Sequence, residues 1–290
     1  MTLFFRVPAL FILSGVVLSA GMLLPASAPG TDRITTEQLM SRLSSSIENL
    51  KSLRCSVRAQ ERLASGGYQQ ANTIMKMTFN PQRVYMRNIK GLEVLWVSGQ
   101  NDGDAWVYPN SFPYVTLNLD PNGSIMRRNQ HHSILDAGFG TIADLIKGSA
   151  QRRDHSYEKS FRYTGDSTIA GRPCYVLRSD FPQFRYVAYK TVAGDTPRRI
   201  ADKFGCGEYR VMERNNLTPG KTLPVGKVLQ VPNSYGHRTI VVVDQKLMLP
   251  LVVQVNDDKG LFEKFEFSDI VANQPIPLAE FSKDYPEYKL

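Results

Sequence analysis

Chemistry at a protein surface needs histidines, cysteines, carboxylates and hydroxyls at set spacings, and this sequence offers few such sets. Its four histidines stand at 131, 132, 155 and 237. His131-His132 has neither the H-E-x-x-H spacing of a zinc helix nor a cysteine close by, so no metal site is expected. The three cysteines, Cys55, Cys174 and Cys206, form no C-x-x-C pair. Cys55–Cys174 and Cys174–Cys206 disulfides are both open, with one thiol left over in either case. Pro219-Gly220-Lys221-Thr222 has the end of a phosphate-binding loop, but Asn215 stands where its first glycine belongs. Asp102 and Asp104 sit beside Gly103 and are most simply turn formers. No serine or cysteine lies in a nucleophile motif. The expectation is therefore a protein without catalytic residues, metal or cofactor, and not an enzyme. What remains is a recognition signal: Gly194-Asp195-Thr196 opens directly into a helical stretch within a sequence that otherwise alternates like β-strand.

The ends and the charge narrow the setting. Arg6, the apolar run Ala9 to Leu24, and the small residues of Pro25-Ala26-Ser27-Ala28 read as a signal peptide over 1–28, so the working chain is expected to be exported. No cysteine follows the run to carry a lipid, and no arginine pair precedes it. The formal charge is +8, or 8 − 1 = +7 without Arg6. Such a balance favours anionic surfaces. In an exported protein these are lipid head groups or wall polymers, not nucleic acid; the plainer reading is that the charge keeps the chain soluble.

Thr35 to Leu53 has Leu39, Leu43, Ile47 and Leu50 at helical spacing behind a threonine cap. The period then changes to two. Ser65-Gly66-Gly67, Asn80-Pro81, Lys90-Gly91 and Asn101-Asp102-Gly103 separate strand-like runs, which predicts an antiparallel meander. Val94 and Trp96 fall on one face of their strand, Leu95 and Val97 on the other. A sheet with one wet face does not look like this, so either both faces are covered or the sheet curls round a core or cavity. Ser133-Ile134-Leu135-Asp136 reads as a capping box and predicts a helix of about fifteen residues, to near Lys147. Strands resume, stop near 183, and restart near 237, where Asn256 to Gly260 forms a hairpin loop.

The block between reads as strand, helix, helix, strand. Asp195 or Thr196 caps the first helix, Pro197 sits at its favoured start, and Gly205 ends it. "YKTVAGDTPRRIADKFG…VMERNNL…LPVGKVLQVP" resembles a LysM domain: a strand, Gly-Asp-Thr, a helix carrying Ile-Ala, a second helix ending in Asn, then Pro-x-Gly-x-x-Leu-x-x-Pro. Pro197-Arg198 departs from the Leu or aromatic residue usual there. The resemblance implies binding of N-acetylglucosamine-containing glycans such as peptidoglycan. It places the glycan between Gly194, Asp195, Thr196 and Pro197 on one side and Asn216, Leu217, Thr218 and Pro219 on the other. Asn215 is expected to hold the loop. From Lys190 to Lys227 eight Lys/Arg face four Asp/Glu, a net of 8 − 4 = +4, which suits an anionic wall.

The surrounding chain, with "FNPQRVYMRN", "LEVLWVSGQNDGDAWVYPN", "HSILDAGFG" and the late "VVVDQKLMLPLVVQVNDDKGLFEKFEFSDI", resembles the LolA-like lipoprotein-carrier fold, most closely a branch of unknown function. That resemblance implies an α+β class: a curved, open antiparallel sheet, or half-barrel, with helices on its concave side. It implies that acyl chains of lipids or lipoproteins occupy the cavity. Candidate lining residues are Met75, Met77, Phe79, Tyr85, Leu95, Trp96, Trp106 and Tyr108; each read singly is ordinary core. Arg87 lies near the place of a functional arginine in carriers.

The expected organisation is a signal peptide at 1–28, a discontinuous sheet domain at 29–185 and 236–290, and a LysM domain at 186–235. The expected function is a periplasmic or envelope-associated bacterial protein that binds wall glycan and also lipid, acyl chains or a protein partner. A scaffold without lipid cargo, and a wall hydrolase with an unrecognised site, are the alternatives.

Overall fold

The computed structural model describes residues 33–144 and 161–290. The expected leader, His155 and the end of the expected helix near Lys147 lie outside the described residues. One compact unit extends over Ile34–Leu290.

Helix α1 (Thr36–Glu48) begins at a complete capping box: Thr35 accepts from the Gln38 amide and Gln38 reaches back to the Thr35 amide. Its Leu39, Leu43 and Ile47 are buried, each worth about 1.5–3 kcal/mol of transfer free energy. They pack against Leu53, Met77, Leu177 and Val241 of the sheet.

That sheet has eleven strands. In chain order they are β1 (Ser52–Arg62), β2 (Tyr68–Phe79), β3 (Gln82–Asn88), β4 (Glu93–Val97), β5 (Ala105–Tyr108), β6 (Leu117–Leu119), β7 (Phe161–Ile169), β8 (Arg172–Asp180), β11 (Arg238–Asp244), β12 (Pro250–Asp257) and β13 (Gly260–Ala272). The spatial order is β6-β5-β4-β3-β2-β1-β13-β12-β11-β8-β7, and every paired neighbour is antiparallel. Two meanders thus meet where the last strand pairs with the first, Val57 opposite Phe267. The sheet curls rather than lying flat. Eight of its strands, β1 to β6 with β12 and β13, line a single cavity of about 550 Å³. Eight strands laid flat would span roughly 34 Å at about 4.8 Å each, far wider than such a cavity.

Both faces are covered, as the two-sided strands require. Val94 and Val107 point into the concave core with α1. Tyr85, Leu95 and Val97 point to the convex face, where the C-terminal segment covers them with Ile276, Phe281, Tyr288 and Leu290. Tyr288 stacks on Tyr85 with ring centroids 3.8 Å apart. Arg54 and Lys76 anchor the same segment through Glu280, at 2.7 Å each.

Ser133 does form its capping box with Asp136, but the box opens only a 3₁₀ turn, Ile134–Asp136. The expected fifteen-residue helix is broken because Ala137 is extended and Gly138 takes a φ of +93°. Helical residues begin again at Gly140. Gly138 is needed here for a second reason: a Cβ would lie 3.1 Å from the Met77 sulfur. Cys174, common to both conceivable disulfides, is a free thiol, as is Cys55, and the two lie in different apolar clusters.

Between β8 and β11, which pair directly through Asp180 and Arg238, the chain leaves the large sheet. It forms β9 (Tyr186–Lys190), α2 (Pro197–Phe204), α3 (Glu208–Asn215) and β10 (Val228–Pro232). β9 and β10 pair as a separate two-stranded sheet. Ile200, Ala201, Val211, Leu229 and Val231 fill a small core of their own.

Candidate functional site

The β9–α2 turn is built from Gly194 at φ +80°, Asp195 and Thr196. The Asp195 carboxylate accepts from the Val192 amide at 2.8 Å and the Tyr189 hydroxyl at 2.9 Å. Thr196 caps α2 by accepting from the Arg199 amide, and Pro197 occupies the first turn, where no amide hydrogen is missed. The Asp195 carbonyl accepts from the Leu223 amide at 2.8 Å, so this turn and the segment following α3 are stitched together. Asn216 caps α3 in the left-handed region at φ 52°. Asn216 and Thr218 are exposed, Pro219 is half-buried, and Leu217 packs back onto the core. The two expected walls thus lie on loops that one backbone bond, Leu223 to Asp195, joins. Asn215 is structural: its amide group bonds the Val211 and Gln230 carbonyls and the Gln230 amide at 2.8–2.9 Å.

Those features, strand–turn–helix–helix–strand with a buried turn aspartate and an asparagine clasp, coincide with a match of 189–232 to the LysM family model. Residues 189–232 form a LysM domain. Residues 50–193 match the model of a protein family of unknown function, DUF1571. No curated protein sequence matches the chain. Among solved structures it is similar to a chain of the Pseudomonas aeruginosa MucA/MucB complex, at 15% identity over 85% of this chain and 60% of that one, with a TM-score of 0.40. It is also similar to Mycobacterium tuberculosis lipoprotein LppX, at 12% identity over 83% and 98% with a TM-score of 0.40. A LolA superfamily protein from Nitrosomonas europaea aligns at 11% identity over 87% of this chain and 99% of that one, with a TM-score of 0.33. The chain spans about three fifths of the MucA/MucB-complex chain. At these scores no similarity to a solved structure bears on function, and the fold rests on its own sheet topology.

The LysM domain is fastened to the sheet, not hung from it. Arg198 grips both oxygens of Asp136 at 2.8 and 2.9 Å. The departure from the usual LysM pattern at this position thus has a purpose in this chain. Burial alone would raise the Asp136 pKa, but the Arg198 bonds hold it below the usual carboxylate range. Arg127 meets Glu208, the first residue of α3, at 2.8 Å with both side chains almost wholly buried. Arg210 lies fully buried with its guanidinium 3.7 Å from the Phe262 ring centre. It donates to the Tyr235 carbonyl, beside the Arg62–Asp257 pair. The Tyr209 hydroxyl accepts from the Ala64 amide at 3.0 Å.

The concave cavity has an apolar body and one polar wall. Met75, Met86, Val107, Ile134, Val253 and Phe267 belong to the body. The wall is His132, Tyr235, Glu263 and Glu61. Tyr235 donates to Glu263 at 2.7 Å, and His132 Nε2 lies 3.2 Å from the same carboxylate. Burial alone would lower the His132 pKa, but Glu263 overrides it and lifts the pKa to about 9. Burial would likewise raise Glu263, yet the two imidazoles hold it well below its usual range. Burial pushes the Tyr235 phenol up. His131 lies between the rings of Tyr209 and Phe262, at 4.2 and 4.1 Å.

Glu61, His131 and Glu263 bring possible metal donors within 4.8 Å of one another. Every one of those side chains is engaged internally. His131 Nδ1 faces Glu263 at 2.8 Å and Nε2 faces the Arg62 carbonyl at 2.9 Å. Glu61 accepts from the His131 amide and from Gln69. The cluster joins β1, β13 and the loop of His131, whose ring packs on Tyr209 of the LysM domain.

Of the residues expected to line the cavity, Met75 does. Met77 is fully buried beneath Gly138, and Phe79 and Trp96 pack at the edge of the concave core. Tyr85, Leu95 and Trp106 are on the convex face under the C-terminal segment. Tyr108 shares the face of Trp106, with the Lys289 ammonium 5.8 Å from its ring. The period of two puts these residues opposite the cavity, since neighbours in a strand cannot share a face. Arg87, in register with Glu93, is exposed and shares the convex face with Tyr85. Nothing local in the sequence marks the polar wall, because the partners of His132 lie 103 and 131 residues away.

Proposed function

We propose that this is a non-enzymatic protein of the bacterial cell envelope that holds wall glycan in its LysM groove and an acyl chain in its concave cavity. The glycan reading rests on the LysM domain, whose groove residues Gly194 to Pro197 and Asn216 to Pro219 lie on two loops stitched by the Asp195–Leu223 bond. The lipid reading is carried by one observation: a cavity of about 550 Å³ on the concave face of a curled sheet, mostly apolar and with flexible methionines in its wall. A saturated chain needs apolar walls, and the polar wall at His132 and Tyr235 suits an ester or hydroxyl at its end. The buried Glu61–His131–Glu263 group supports a structural rather than catalytic role, since its hydrogen-bonding atoms are satisfied within the protein.

Two measurements on residues 29–290 test this reading. The protein should sediment with purified peptidoglycan sacculi, and Thr218→Trp, at an exposed groove position, should release it. A fluorescent fatty acid should bind, and Ala59→Trp, which projects into the cavity, should weaken it at least tenfold. Unchanged binding of both probes by these variants would remove the proposed sites.

A further inference from the structure

Exposed apolar side chains stand on two loops whose roots line the cavity. The β5–β6 loop, residues 109–116, carries Phe112, Tyr114 and Val115 at 87%, 63% and 50% exposure. The β3–β4 loop carries Ile89 at 80%. The two loops are joined by a bond from the Asn110 side chain to the Lys90 carbonyl, 2.8 Å. Their roots, Leu92 and Pro109, line the cavity, and so does Ile125, which is itself 63% exposed. A cavity wall that continues outward into exposed rings and aliphatic chains marks the opening.

The charges around this rim have one prevailing sign. Arg87, Lys90 and Arg128 are exposed. Glu93 is buried, and its carboxylate accepts from the Lys289 amide at 3.1 Å. Asp120 and Glu287 are exposed carboxylates nearby, Asp120 with one oxygen taken by the Asn122 amide at 2.8 Å, and exposed Lys289 adds to the cations. Aromatic and aliphatic side chains projecting beyond a cationic fringe fit the boundary between acyl chains and head groups of an anionic bilayer. A protein partner would be better served by a flatter apolar patch with a mixed-charge rim. Among the described residues no helix is long and apolar enough to cross a membrane.

We infer that the β5–β6 and β3–β4 loops are a membrane-contact surface, which seats the cavity mouth on a bilayer containing anionic phospholipid. Phe112 and Tyr114 enter the interface, while Arg87 and Lys90 meet phosphate groups. This contact lies outside the cavity and apart from the glycan groove, so it is separable from both.

The test is sedimentation of residues 29–290 with vesicles of phosphatidylglycerol and phosphatidylcholine, beside vesicles of phosphatidylcholine alone. The expected result is binding to the anionic vesicles that weakens with salt. Phe112→Ser with Tyr114→Ser should reduce the partition coefficient at least tenfold, from the loss of two large apolar side chains. Arg87→Glu with Lys90→Glu should abolish the preference for phosphatidylglycerol. Sacculus sedimentation and fatty-acid probe binding should not change in either variant, so loss of those signals would point to the glycan or cavity reading instead. As a second readout, Phe112→Trp should show a blue-shifted emission with anionic vesicles. No vesicle binding by the parent chain, equal binding by all variants, or an unshifted Trp spectrum would overturn the inference.

Discussion

Replacing Glu208 by alanine should unfold the junction between the LysM domain and the sheet at a cost that the geometry sets. The carboxylate lies 2.8 Å from Arg127, and the two side chains are only 6% and 2% exposed. At that separation the attraction is about 332/(20 × 2.8), or roughly 6 kcal/mol at an effective dielectric of 20. Desolvation of both groups offsets much of it, so the pair adds little net stability over an apolar pair. A single truncation is different, because it strands the other charge. Arg127 Nε has no partner, and Nη2 reaches only the His131 carbonyl at 3.5 Å. Glu208→Ala should therefore cost about 3–5 kcal/mol, of which up to about 1 kcal/mol is lost helix-terminus charge. Arg127→Met should cost a similar amount. The double variant Arg127→Met/Glu208→Leu should return to within about 1 kcal/mol of the parent. Urea unfolding, followed by tryptophan fluorescence and by circular dichroism, reads all four proteins. Trp96 and Trp106 report the sheet alone, so coincident transitions would show that LysM and sheet melt as one unit. Single losses under about 1 kcal/mol, or an early LysM transition in the parent, would refute a welded junction.

Three further outcomes follow from the same structure. His132 has a folded pKa of about 9 against an ordinary 6.5, so its contribution is full below about pH 6.5 and fades as pH rises through 9. Glu263, held well below its ordinary 4.5, contributes above that value and loses its contribution as pH falls through its folded pKa. Chemical-denaturation stability should peak near pH 4.5–6.5, and His132→Gln should flatten the alkaline limb. Removing residues 274–290 uncovers Tyr85, Leu95 and Val97, and should give a soluble-to-aggregated shift in size-exclusion chromatography while the LysM groove is untouched. Gly138→Ala combines a φ of +93° with a 3.1 Å approach to Met77. It should lower stability by about 1–3 kcal/mol in thermal unfolding.

Much of the architecture was legible because its signals are local. Strand alternation, the turns at Gly66-Gly67 and Lys90-Gly91, and the Thr35 cap each depend on residues a few positions apart. The LysM domain was legible for the same reason, since its turn, caps and asparagine clasp lie within one short block. The cavity was legible only as a consequence: two-sided strands demanded cover, but which face was the cavity and which the C-terminal cover depends on where 274–290 lands. Alternation could not choose, and half the expected lining residues fell on the wrong face. The helix after Ser133 misled because its capping box is real, yet Gly138 overrides it with backbone geometry two residues later. The junction was least legible. Arg198–Asp136 and Arg127–Glu208 join positions 62 and 81 residues apart, and nothing near Arg127 in sequence marks it as half of a buried pair.

The most direct measurement is an amide NMR titration of residues 29–290 with a soluble N-acetylglucosamine-containing peptidoglycan fragment. Saturable shifts confined to 194–197, 216–219 and their immediate neighbours are the predicted result. Absence of shifts there, or shifts concentrated elsewhere on the chain, would contradict a wall-binding role for the LysM groove.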